Sequence, residues 1–160
     1  MRFPESYQRT RDIDWFFRKG NRFIHAASNR GLLPYFVNDI QRLRMEQAKV
    51  SMLNDIEDIE IAINESYVNQ RIATAVSYLR SNGNEENDFQ SMRDSYLASF
   101  VAMARKGFYS YDSALSGTSV YVLICGPKNP QQIGVQLLEV GDEIIFDNND
   151  KIFCFLDCCL

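Results

Sequence analysis

The sequence predicts an α+β fold, in which an N-terminal β-hairpin precedes about three central helices and a C-terminal antiparallel β-meander. Two observations predict it. Apolar residues alternate with polar ones near both ends of the chain, and they recur at three- and four-residue steps between those ends. A chain of 160 residues suffices for one hydrophobic core of ordinary size. We therefore expect a single α+β domain over residues 1–160, with a polar lead-in at 1–11.

The hairpin is predicted over residues 12–27. In its first strand Ile13, Trp15 and Phe17 share one face of an alternating pattern, which predicts that Trp15 points into the core. Gly20 supplies the turn, because glycine tolerates the positive φ of a tight hairpin. The second strand follows as RFIHAA, residues 22–27.

The region from 33 to 106 is predicted to be helical. Its segment 54–65 (NDIEDIEIAINE) fits a helix or a strand, and the absence of glycine and proline from 35 to 82 favours the helix. The pair Asn82-Gly83 is typical of a helix end. A further helix is predicted over 87–106, and its Tyr96 and Phe100 form a candidate contact surface.

Antiparallel strands are predicted over residues 107–157, where the composition becomes typical of β-structure. The individual strands are expected at 108–111, 120–125, 133–140, 143–146 and 151–156. Turns are expected at 141–142 and 148–150, because glycine, asparagine and aspartate favour them.

Composition and charge exclude several classes of protein. The longest apolar run, VYVLIC at 120–125, is far shorter than the roughly 18 residues of a membrane span, so a cytoplasmic protein without a membrane partner is expected. The four cysteines (Cys125, Cys154, Cys158 and Cys159) have no metal-knuckle spacing and are expected to be reduced thiols, with no bound metal and no cofactor. The net charge is −4, yet ten of the seventeen basic residues lie in the first fifty. Such a split indicates either a nucleic-acid face or two parts of the protein that attract each other.

His25 is the only histidine, so histidine-based catalysis would have to use it. On its strand it shares a face with Phe23 and Ala27, which is typical of a hydrogen-bonded packing residue. A catalytic role would need an orienting carboxylate, and Asp12 and Asp14 on the neighbouring strand are the candidates. These two aspartates are two residues apart, so they also fit a cation site or a solvated face.

A second candidate site is the basic, aromatic-rich N-terminal third. Its binding candidates are Arg9, Arg11, Arg18, Lys19 and Arg22. Cations interleaved with aromatic rings are typical of surfaces that bind phosphates and stack bases. Inward-facing rings cannot stack on bases, however, so nucleic-acid binding is possible but not favoured.

One short string resembles a known enzyme motif. The run RFIHAAS at 22–28, a strand followed after a short turn by a helix, resembles the first motif of some ADP-ribosyltransferase-type folds. The resemblance implies that His25 would help position NAD, and that a late glutamate would be required, for which Glu139 is the candidate. It covers about ten residues, and the other motifs of that family cannot be placed.

Two further strings, DIDWFF at 12–17 and ARKGFYSYD at 104–112, resemble stretches of small bacterial proteins of unknown function, which implies no activity. The sequence contains no phosphate-binding glycine loop, nucleophile elbow or dinucleotide fingerprint. It does contain nineteen phenylalanines and tyrosines, more than one small core needs. The leading hypothesis is therefore a non-enzymatic protein-interaction or regulatory module that binds itself or another protein.

Overall fold

A computed structural model describes residues 1–84, 88–114, 120–146 and 154–156. The helices and strands of these residues follow one another in this order: α1 (Glu5–Gln8), β1 (Asp14–Lys19), β2 (Arg22–Ala27), α2 (Ile40–Ser51), β3 (Ile61–Ile63), α3 (Glu65–Ser81), α4 (Phe89–Arg105), β4 (Tyr109–Ser113), β5 (Val120–Pro127), β6 (Ile145–Phe146) and β7 (Cys154–Leu156). The predicted α+β class is confirmed.

The strands in the described ranges form one mixed sheet with the order β1-β2-β4-β5-β7-β6, and β3 pairs with the last residues of β5. β1 and β2 are antiparallel, and β4 then lies parallel to β2. The parallel pair forms because the chain passes through α2, α3 and α4 before it returns beside the hairpin. The hairpin and the C-terminal strands are therefore parts of a single sheet.

The sheet is covered on both faces. Trp15 and Phe17 pack on one face with Tyr111, Tyr121 and Leu43, and Trp15 is 0 % exposed. The opposite face carries a second cluster contributed mainly by α3 and α4. A third cluster lies beside the hairpin, and its buried members are Phe16, Phe23, Val50, Phe108 and Leu137. The predicted inward orientation of Trp15 is confirmed.

The hairpin forms as the sequence predicts. Lys19 pairs with Arg22, which leaves Gly20 and Asn21 as the turn. Gly20 has a φ of 60°, the conformation that a type II′ turn requires at its first central position. The first strand begins at Asp14 and extends to Lys19, slightly later than its apolar pattern predicts.

Three central helices are present, and each begins at a side-chain cap. Asp39, Asn64 and Asp88 accept hydrogen bonds from backbone N–H groups in the first turns of α2, α3 and α4. α3 ends at Ser81, and Gly83 just beyond it has a φ of 80°, as the Asn82-Gly83 signal predicts. The proposed contact surface on α4 is wrong, because Phe100 is buried in the core and the Tyr96 hydroxyl turns inward to Asp112.

The prediction of a helix over 54–65 is wrong, because Ile61–Ile63 is a strand paired with β5. Asn64 explains where the strand must end. Its side chain caps α3 and also donates to the carbonyl oxygen of Leu123 at 2.9 Å, so the helix begins only after it. Asp58, with a φ of 55°, interrupts the preceding segment.

The prediction of an antiparallel C-terminal meander matches only in part: β4 and β5 are antiparallel, but the sheet is mixed. β7 lies parallel to both β5 and β6, and residues 133–140 form no strand. That segment instead lies beside the end of β1, where Arg18 donates to Leu138 and accepts from Val140. Its alternation is real, since Leu137 is buried, but an alternating pattern reports burial and specifies neither strand partners nor direction. The turn predicted at 148–150 lies outside the described residues.

Nowhere in the described ranges does a helix combine the length and the hydrophobicity that crossing a membrane requires.

Gly126 is expected to be essential for the packing of the sheet. A Cβ atom at this position would lie 2.5 Å from Cδ1 of Tyr109, a buried side chain that cannot easily move. We expect Gly126→Ala to lower the free energy of unfolding by about 1–3 kcal/mol, the usual cost of overpacking. Gly134→Ala is the matched control, because nothing lies within 4 Å of its Cβ position. Urea unfolding of both variants checks this, and equal stabilities would contradict it.

Candidate functional site

Polar side chains collect at one edge of the sheet. Because β2 and β4 are parallel and β1 is antiparallel to β2, the start of β1 lies at the same edge as the ends of β2 and β4. Asp14 is the first residue of β1, Asp12 lies two residues before it, and Asp112 lies near the end of β4. In open α/β sheets, ligands usually bind beyond the carboxyl ends of the parallel strands. The carboxyl ends of the parallel strands β2 and β4 lie at this edge.

His25 links three neighbouring strands at this edge. Its Nε2 lies 2.8 Å from Oδ1 of Asp14 on β1, and its Nδ1 lies 2.5 Å from Oγ of Ser110 on β4. The ring packs between the aromatic rings of Phe16 and Phe100, at centroid distances of 5.4 and 6.1 Å. Both ring nitrogens of this buried imidazole therefore have a hydrogen-bond partner. We call Asp14, His25 and Ser110 the relay.

Only one end of the relay reaches solvent. His25 is 1 % exposed and Ser110 is 0 % exposed, whereas the side chain of Asp14 is 53 % exposed. In serine hydrolases that use Ser, His and Asp, the serine faces the substrate and the aspartate is buried. The relay has the opposite orientation, so Ser110 cannot attack a bound substrate. Its chemical effect is to hold the Asp14 carboxylate in one position.

A pocket of about 480 Å³ lies between the start of β1, the N-terminal segment and α2. Its lining residues are Phe3, Tyr7, Arg11, Asp12, Ile13, Asp14, Phe16, Arg44, Gln47, Val50, Ser51 and Met103. Gln47 also donates from Nε2 to the backbone oxygen of Asp14 at 2.8 Å, which ties α2 to the start of the strand. Both sequence-predicted aspartates thus line the pocket, and His25 reaches it only through Asp14.

The Asp12 side chain is held by a hydrogen bond from the backbone of the turn after β2. Its Oδ1 accepts a hydrogen bond of 2.7 Å from the backbone N–H of Asn29, in the turn that follows β2. Asn29 and Arg30 both have positive φ, at 45° and 62°, which is unfavourable for an arginine. The turn closes with a bond from Gly31 to the carbonyl oxygen of Ser28, so the strained backbone is held beside the pocket wall.

A second polar cluster, which sequence reasoning missed, surrounds Asp112. Its Oδ2 accepts a hydrogen bond of 2.7 Å from the Tyr96 hydroxyl and lies 3.2 Å from Nη2 of Arg71, which also donates to the Tyr67 hydroxyl. Burial raises the pKa of Asp112 above its usual value, even though the Arg71 charge opposes the shift. These residues come from α3, α4 and β4, so no local pattern could have grouped them.

The proposed basic surface divides into two parts. Arg9 pairs with Glu5 at 2.8 Å, and the Arg11 guanidinium lies 5.5 Å from the Tyr7 ring, both before the start of β1. The remaining three lie at the hairpin turn: Arg18 pairs with Glu139, Lys19 donates to the carbonyl oxygens of Gly141 and Ile144, and Arg22 lies over the Tyr109 ring. The six residues of β1 separate the two parts by roughly 17 Å.

The structure does not bring Glu139 to the relay. Glu139 bonds with Arg18 near the hairpin turn, and the ring nitrogens of His25 are occupied by Asp14 and Ser110. The ADP-ribosyltransferase resemblance implies a histidine ring that contacts NAD, whereas this ring is buried.

Within the described residues, no group of three or more histidine, cysteine or acidic side chains has a geometry that could hold a metal ion. Cys125 is buried, and burial raises the pKa of its thiol to about 12. Cys158 and Cys159 lie outside the described residues.

The hydrogen bonds of the relay predict a structural role for the Ser110 hydroxyl. Its hydroxyl is expected to donate to Nδ1, since the Asp14 carboxylate can only accept and therefore requires the ring proton on Nε2. Ser110→Ala leaves Nδ1 buried without a donor, which is expected to cost about 1–3 kcal/mol of unfolding free energy. Urea unfolding measures the loss, and ¹⁵N NMR of the single histidine identifies the tautomer. Ser77→Ala, on the exposed face of α3, is the control and is expected to change stability by under about 0.5 kcal/mol. A wild-type ring with its proton on Nδ1 would contradict the assignment.

Asp112 and Asp39 are expected to respond oppositely to pH. Because burial raises the folded-state pKa of Asp112, its unfavourable contribution disappears as the pH falls through that pKa toward the unfolded value. The stability of the wild type relative to Asp112→Asn should therefore increase on acidification. The pKa of Asp39 is lowered by its backbone hydrogen bond from Arg42, so its contribution is present at neutral pH and is lost as the pH falls. The stability of the wild type relative to Asp39→Asn should decrease. Unfolding measured from pH 7 to pH 3 checks both slopes, and slopes of the same sign would contradict this pairing.

Comparison with known proteins adds no family: no protein-family model, no curated protein and no solved structure matches this chain.

Proposed function

We propose that this protein is a non-enzymatic binding or regulatory module whose ligand occupies the pocket between the start of β1 and α2. The observation that carries the proposal is the Asp14 carboxylate, which is held at the pocket wall by the buried His25, itself hydrogen bonded to Ser110. An exposed aspartate on a surface strand is ordinarily free to rotate. Here one oxygen is fixed by His25, so less conformational entropy is lost when the other binds a ligand.

The size and composition of the pocket support the same proposal. Its volume of about 480 Å³ lies within the range of roughly 300–1,000 Å³ that is usual for small-molecule sites. Aromatic and aliphatic side chains form part of the wall, and a small number of charged groups converge on it. This combination is typical of sites that bind a small molecule with a defined orientation.

A binding role is favoured over a catalytic one because the single imidazole of the chain, the commonest base that activates a hydroxyl, is not on the pocket wall. Among the residues that line the pocket, Ser51 is the only hydroxyl apart from Tyr7, and no imidazole lies beside it. Ser110 and His25 are buried behind Asp14. Self-association and nucleic-acid binding stay predictions, and the division of the basic residues between the two ends of β1 gives the latter no support.

A fragment screen and a variant that blocks the pocket test whether the pocket binds a ligand. A fragment library screened by ¹⁵N NMR is expected to give ligands that shift the amide signals of Asp12, Asp14 and Gln47. Ser51→Trp places a large ring at the pocket wall and should abolish these shifts. Ser77→Trp adds the same ring to the exposed face of α3 and should leave them unchanged. A screen in which fragments bind elsewhere, or in which Ser51→Trp binds as the wild type does, would refute the proposal.

A further inference from the structure

We infer that the ligand of this pocket is a small zwitterion, a molecule that carries an ammonium group and a carboxylate on one apolar body. This inference rests on the proposed function and names its ligand class. Four charged side chains of both signs line the pocket: Asp12, Asp14, Arg11 and Arg44. No ion pair joins any two of them in the part of the chain that the structure describes, so they do not neutralise one another by direct contact.

The acidic wall suits an ammonium group. Asp14 is the first residue of β1 and Asp12 lies two residues before it, and both line the pocket. In each, Oδ1 is occupied, by the backbone of Asn29 and by His25 respectively. In the described ranges the second carboxylate oxygen of neither side chain makes a hydrogen bond. An ammonium group has three donors and no acceptor, and two fixed carboxylate oxygens match it.

The basic wall suits a carboxylate. Arg44 lies on α2 one turn before Gln47, and both line the pocket. In the described structure the Arg44 guanidinium makes no hydrogen bond or ion pair, in contrast to Arg42 on the same helix, which donates to Phe36. The only contact recorded for the Arg11 guanidinium in the described ranges is with the Tyr7 ring. Guanidinium groups bind carboxylates through two parallel hydrogen bonds, so these side chains form a complementary second arm.

Ligands of one charge fit this pocket less well. A dianion such as a phosphate would meet Asp12 and Asp14, and a divalent cation would meet Arg11 and Arg44. A zwitterion places a favourable charge at each wall, and its apolar body lies against Phe16, Val50 and Met103. Free amino acids and close relatives have this chemistry.

The experiment is calorimetric titration of the full chain with three matched series: the twenty common amino acids, their decarboxylated amines and their deaminated acids. We expect at least one amino acid to bind, and its amine and acid counterparts to bind about 10- to 100-fold more weakly, the usual effect of one lost charge-assisted hydrogen bond. Asp14→Asn or Asp12→Asn should weaken the binding of the amino acid and leave the affinity for the deaminated acid unchanged. Arg44→Gln should weaken the binding of the amino acid and leave the affinity for the amine unchanged. Asp55→Asn and Arg80→Gln, at exposed residues that do not line the pocket, are the charge-matched controls and should leave the binding of all three series unchanged.

Two results would overturn the inference, and they are distinguishable. If fragments occupy the pocket but amines or acids bind as tightly as the zwitterions, the ligand class is wrong and the binding function remains. If no compound of any series binds and no fragment shifts the amide signals of the pocket, the ligand class and the proposed binding function are both wrong. Asp12→Asn keeps the test valid should Asp14→Asn disturb the relay, because Asp12 does not contact His25.

Discussion

The structure around the candidate site depends on a buried imidazole that must satisfy two nitrogens. A polar group removed from water costs free energy unless it is hydrogen bonded, so His25 constrains the strands on either side of it. β1 supplies Asp14 and β4 supplies Ser110, and the parallel pairing of β2 with β4 places Ser110 directly beside His25. A single side chain therefore ties the N-terminal hairpin to a strand 85 residues further along the chain.

Two aspartates at the same edge of the sheet show how strongly the surroundings decide what a carboxylate can do. Asp112 is enclosed by Tyr96 and Arg71, and burial raises its pKa. Its hydrogen bonds are used inside the protein, so it holds α3 and α4 against β4. Asp14 bonds to the buried His25 with one oxygen, and its side chain is half-exposed at the pocket wall. Asp112 is therefore a structural acid, and Asp14 is the one available to a ligand.

The sequence predicted those features that depend on neighbours in the chain. The inward face of β1, the turn at Gly20 and the proximity of Asp14 to His25 all follow from alternation within one hairpin. The strand at Ile61–Ile63 and the path of residues 133–140 did not follow, because a periodic pattern reports which side chains are buried and not which backbone lies alongside. Ser110 and the Tyr96–Asp112–Arg71 cluster could not be predicted at all, since only the fold brings those residues together.

The charges of the pocket bear on binding more than on stability. Exposed ion pairs contribute at most about 1 kcal/mol, so folding gains little from pairing Arg44 with Asp14 and loses little when both stay apart. The geometry that keeps them apart comes from elsewhere: His25 holds Asp14, the Asn29 backbone holds Asp12, and the Gln47 bond fixes α2 with Arg44 on it. Each of these contacts fixes a part of the chain that carries a charged lining residue. A wall held in this way loses little entropy on binding, which is the physical basis for the proposal that this pocket binds a ligand.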